Sequence, residues 1–80
     1  MDNKVLGYAN HDTAMACLAM TNERDLYTLI AKLPRRPKYL TFLWSICLYA
    51  NKHGFHQSKL NRDEVLAHAQ SIWDDHHNEG

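Results

Sequence analysis

Six histidines, two cysteines and a run of four ionisable residues near the C-terminus are the side chains best equipped for chemistry in this 80-residue chain. A structural zinc centre takes four ligands at paired spacings, and neither Cys-x-x-Cys nor His-x-x-x-His occurs. His53 and His56 straddle Gly54 and share no helical face, His76-His77 is an adjacent pair, and His68 stands near Asp63 and Glu64. Cys17 and Cys47 each fall inside an apolar helical pattern, where a thiol is expected to be reduced and inert. A disulfide between them would require the two helices to pack at those points. Asp74-Asp75-His76-His77 can be drawn as an acid–base cluster, yet such a run reads more simply as a solvated helix end. These residues predict no catalytic group, no metal ligand and no cofactor, and the chain is not expected to be an enzyme.

The charges are more informative. The formal net charge is zero, but residues 26–62 carry Lys32, Arg35, Arg36, Lys38, Lys52, Lys59 and Arg62 with no acid, while the segments on either side are acidic. Lys32, Arg35, Arg36 and Lys38 fall within seven residues, with Tyr39 adjacent, and these five are the candidate partner-binding residues. Arginine forks onto carboxylates and phosphates, and arginine beside aromatics is common in the energetic centres of protein interfaces. Three targets are open: a protein or ribonucleoprotein complex, nucleic acid, or the chain's own acidic last helix. The segment after the turn is too apolar to read a DNA groove, which needs polar side chains.

The elements that must position this cluster are helical. Apolar residues make up 45% of the chain, with three Gly and two Pro, enough for one core and one domain over residues 1–80. Residues 1–9 read as a lead-in. Asn10 or Asp12 can cap a first helix through Ala14–Met20, which has no polar face and is expected to be buried on several sides or to form an interface. Asn22 can cap a second, with Leu26, Leu29, Ile30 and Leu33 on one face and Pro34 as its stop. Pro37 suits the first position of a third, with an inward stripe of Leu40, Leu43, Trp44, Cys47 and Leu48, widened by Phe42, Ile46 and Tyr49. Gly54 fits its left-handed end, with Phe55 folding back. Asn61 and Glu64 have the spacing of a capping box, flanked by Leu60 and Val65, for a fourth helix that buries Val65, Leu66, Ala69, Ile72 and Trp73. Residues 76–80 are expected to fray. The fold class is therefore all-α, a compact bundle of about four short helices. No apolar run reaches membrane-spanning length and the N-terminus lacks a secretion signal, so no membrane partner is expected and the cytosol is the expected location.

The stretch Gly7-Tyr8-Ala9-Asn10-His11-Asp12-Thr13 resembles the opening of a group of small phage- and plasmid-borne proteins: Gly, an aromatic, a small residue, Asn, an aromatic, an acid, Thr-Trp. Thr21-Asn22-Glu23-Arg24-Asp25-Leu26-Tyr27 is similar to their acidic second segment, while His11 and Ala14 stand where the group has an aromatic and Trp. The resemblance implies origin in a mobile element. Small orphan phage proteins often act by occupying a surface of a host complex, with inhibitors of CRISPR effectors and restriction systems as one class. The first expectation is thus a non-enzymatic, anti-CRISPR-like inhibitor that binds a host defence complex by steric occlusion. The alternatives are a small nucleic-acid-binding regulator, expected as a homodimer, which would bind duplex DNA with a steep salt dependence, and a structural or assembly factor that self-associates through the first helix.

Overall fold

Asn10 accepts a hydrogen bond from the Thr13 backbone N–H at 2.8 Å and starts the first helix, as a side-chain oxygen at this position should. In the computed structural model, which describes residues 7–78, the chain is all-α: α1 His11–Asn22, α2 Arg24–Ala31, α3 Tyr39–Cys47, the single turn α4 Ala50–His53 and α5 Arg62–Asn78, with a 3-10 turn at Gln57–Lys59. Helix α1 is the centre. It packs against every other helix and buries Thr13, Ala14, Ala16, Cys17, Ala19 and Met20. The segment without a polar face is thus enclosed on several sides. Its alanines let neighbouring helices come close, and Met20 fills the remaining space.

Several expected details differ. Helix α1 runs through Asn22, and Glu23 rather than Asn22 is the junction: its N–H closes α1 onto Ala19 and its carbonyl accepts from Tyr27 in α2. Helix α2 ends at Ala31, short of Pro34, and its buried residues are Leu26, Ile30 and Ala31, leaving Leu29 exposed. The third helix begins at Tyr39, after a buried Pro37, and divides at Leu48-Tyr49 into α3 and α4. Its inward face is Tyr39, Phe42 and Ile46, not the stripe expected from spacing. Helix α5 includes His76, His77 and Asn78, the first three residues of the tail expected to fray, and residues 79–80 lie outside those described; His77 lies on the Trp73 ring, centroids 3.8 Å apart.

The other end signals behave as their chemistry requires. Gly54 takes φ +73°, and the Ala50 carbonyl accepts from both Gly54 and Phe55, which brings Phe55 back into the core. Asn61 Oδ1 accepts from Glu64 N–H at 3.1 Å, but Glu64 does not return the bond. Its carboxylate accepts from the Ala9 N–H at 2.6 Å, and the Asn61 N–H donates to the buried Thr13 hydroxyl at 2.8 Å. The capping box is opened to tie the start of α1 to the start of α5. Asp12 adds a third tie by accepting from the His56 N–H, and Asn10 a fourth by donating to the Lys59 carbonyl.

Both cysteines are free thiols. Burial pushes the Cys17 thiol up to about 11, against a hydrogen bond with Tyr8 that pulls it down. It is an inert core residue. His68 is half-buried between Tyr8 and Thr21, with its Nε2 2.8 Å from the Thr21 hydroxyl. Burial lowers its pKa. The unfolded imidazole takes up its proton near pH 6.5 and the folded one only at lower pH. The His68 contribution is therefore complete above about pH 6.5 and is lost as pH falls from there through the folded value. Urea midpoints measured between neutral and mildly acidic pH should fall on acidification, and His68→Gln should flatten the slope. An unchanged slope would show that His68 does not control it.

Candidate functional site: the basic turn and the outer face of α3

The loop between α2 and α3 cannot be helical across Pro34 and Pro37, so its backbone needs partners elsewhere. Helix α5 supplies them from Gln70, Trp73 and Asp74, which share one helical face. Gln70 Nε2 donates to the Pro37 carbonyl at 3.0 Å, and Trp73 Nε1 donates to the Leu33 carbonyl at 2.9 Å. Arg36 forks onto Asp74, Nε and Nη2 donating at 3.1 and 2.9 Å. That pair raises the Arg36 pKa and lowers that of Asp74, each chiefly through the hydrogen bond to the other.

The candidate residues therefore divide. Arg36 is held by the acidic last helix, whereas Lys32, Arg35 and Lys38 are exposed and have no carboxylate partner among the described residues. Arg35, Arg36 and Lys38 rim a surface cleft of about 290 Å³ completed by Leu33, Pro34 and Thr41. Tyr39 does not join it. Its ring is buried, edge-on to Phe42, with the Arg62 guanidinium 4.9 Å from the ring centroid. The aromatic expected beside the basic turn belongs to the core, and the apolar floor comes from Leu33 and Pro34.

The feature that spacing misplaced is the outer face of α3. Leu40, Trp44 and Leu48 were expected inside, yet they are 76%, 75% and 69% exposed. Leu48 keeps right-handed helical backbone angles, so the three side chains continue as one row at four-residue intervals. No charged residue lies between Lys38 and Lys52 in the sequence. At the far end, Lys52 and His53 both bind the Glu23 carboxylate, at 2.7 and 3.2 Å.

A second cleft of about 380 Å³ lies between Tyr39, Leu43, His56, Gln57, Ser58, Leu60 and Arg62. Here Ser58 Oγ and His56 Nδ1 are 2.7 Å apart, a contact that sequence reasoning missed because the residues are two apart in a loop. The same ring nitrogen accepts from the Ser58 backbone N–H, so the imidazole acts as the cap of the 3-10 turn. The carboxylate nearest in role, Asp12, binds the His56 backbone rather than its ring. Cys47 Sγ donates to Gln57 Oε1 at 3.4 Å, and burial raises its pKa, which leaves the thiol a poor nucleophile. Among the described residues, no three His, Cys, Asp or Glu side chains gather into a metal-binding group, and no helix is long and apolar enough to cross a membrane.

No family model, no curated protein and no solved structure matches the chain.

Proposed function

We propose that the chain is a non-catalytic binding module of phage type, which occludes a surface of a host defence complex through its basic turn. The observation that carries this reading is the cleft at the α2–α3 loop: Arg35 and Lys38, without carboxylate partners among the described residues, stand around an apolar floor. A cation-rimmed apolar cleft suits an acidic protein or ribonucleoprotein surface, because burying the floor supplies area while the rim steers approach. The three contacts from α5 hold the loop in one shape, which lowers the entropy cost of binding. Arg36, already forked onto Asp74, serves as scaffold. Defence inhibition in particular rests on the resemblance of residues 7–13 and 21–27 to phage- and plasmid-borne proteins.

The test is phage plating on hosts whose CRISPR or restriction system targets that phage. Expression of the wild-type chain should restore plaques on a susceptible system. The double charge reversal Arg35→Glu, Lys38→Glu should weaken binding by about 2 kcal/mol, some thirtyfold, and abolish the rescue while leaving the helical circular dichroism unchanged. Equal plating with and without the wild-type chain on every such host would refute the proposal.

A further inference from the structure

We propose that the cleft between α3 and the Gln57–Lys59 turn binds a small organic anion, its oxyanion head on Arg62 and its apolar body against Leu43 and Leu60. The cleft is separate from the basic turn, so this inference does not rest on the proposed function. Its volume of about 380 Å³ falls in the range of small-molecule sites and exceeds that of the basic cleft. Three elements converge on it. Helix α3 gives Tyr39 and Leu43, the loop before α5 gives Leu60 and three polar side chains, and α5 begins with Arg62.

Electrostatics select the charge of the ligand. No carboxylate lines the cleft, and Arg62 has no carboxylate partner among the described residues. Its guanidinium stands 4.9 Å from the centroid of the Tyr39 ring, which is buried and edge-on to Phe42. The charge is thus held over a rigid platform before a ligand arrives, and its forked donors match an oxyanion. The fold draws little from this arginine in return. It occupies the first turn of α5, where the helix dipole disfavours a cation.

The hydrogen bonds point the same way. A backbone N–H can only donate, so His56 Nδ1, which accepts from the Ser58 N–H, carries no proton. The Ser58 hydroxyl therefore donates to Nδ1 at 2.7 Å, and the other ring nitrogen, Nε2, carries the imidazole N–H. The Gln57 carbonyl oxygen accepts from the Cys47 thiol at 3.4 Å, which leaves the Gln57 amide nitrogen as the available group. Arg62, His56 and Gln57 thus bring free donors to the cleft, against only the hydroxyl oxygens of Ser58 and Tyr39 as acceptors. An anion meets three donor side chains there, whereas a cation meets an arginine and no carboxylate. Leu43 and Leu60 are half-buried and seat an apolar body beside the charged head, which favours an organic anion over an inorganic one.

Proton–nitrogen correlation NMR on the full chain at constant ionic strength tests this. Phenyl phosphate and benzoate present a phosphoryl and a carboxylate head on the same ring. At least one of them should shift the Gln57 and Ser58 amides and the Arg62 Nε–H saturably, with a Kd of about 1 mM or below. Inorganic phosphate, a head without a body, and benzyl alcohol, a body without a charge, should each bind at least about tenfold more weakly than the better probe. Arg62→Gln removes no ion pair, so circular dichroism should be unchanged while affinity for that probe falls at least about tenfold. Lys59→Gln, a neighbouring charge outside the lining, should leave it within about twofold. Inorganic phosphate binding as tightly as the better probe, equal losses for Arg62→Gln and Lys59→Gln, or no saturable shift with either aromatic anion up to about 10 mM would each overturn the proposal.

Discussion

Phe42→Ala should cost about 3–5 kcal/mol of folding stability, while Trp44→Ala, two residues away, should cost no more than about 0.5 kcal/mol. Phe42 is fully enclosed, in edge contact with Tyr39 and on the α3 face that meets the core. Its removal leaves a cavity that the short helices around it can only partly close. Trp44 projects into solvent, and its truncation removes no buried contact within the protomer. The comparison is made by urea denaturation of the two variants and the wild type at one protein concentration. Hydropathy and spacing rank the tryptophan as the more costly deletion. A larger loss for Trp44→Ala under these conditions would mean that α3 is rotated from the face described here.

Thr13→Val should cost about 1–3 kcal/mol even though valine matches threonine in shape. The Thr13 side chain is wholly buried, and its hydroxyl accepts the Asn61 N–H at 2.8 Å. That N–H belongs to the residue that caps α5, and Glu64, the side chain that would ordinarily satisfy it, is engaged at Ala9. Valine fills the space and leaves the donor without a partner. Thr13→Ser, which keeps the hydroxyl and loses one methyl, should be the milder change in the same denaturation series. Equal losses for the two would show that the methyl rather than the hydrogen bond matters.

Three helix-end signals were legible because their chemistry is local. Asn10 and Asn61 accept from N–H groups three residues on, and Gly54 adopts the left-handed turn on its own account. The face of α3 was not legible. Between Tyr39 and Tyr49 almost every residue is apolar, so two stripes fit the helical period equally well. The choice falls to tertiary volume: Tyr39, Phe42 and Ile46 fill the space against α1, α2 and α5, and the alternative stripe is left outside. The basic cluster was visible as composition, but Asp74 as the partner of Arg36 was not, because a contact across 38 residues has no local signature. Glu64 illustrates the same limit, since its spacing from Asn61 was read correctly and its carboxylate was claimed by a residue 55 positions away.

The central position of α1 has a consequence for the order of events during synthesis. Ribosomes release the chain from its N-terminus, so the helix that every other helix encloses is made before its enclosure. Its ties run from residues 9–13 to residues 56–64, and none can form until the last third has emerged. An oily segment with no polar face must therefore wait, exposed, while its cover is translated. Helix α2 can pack on α1 as soon as it is made, but the enclosure by α4 and α5 waits for the last third of the chain.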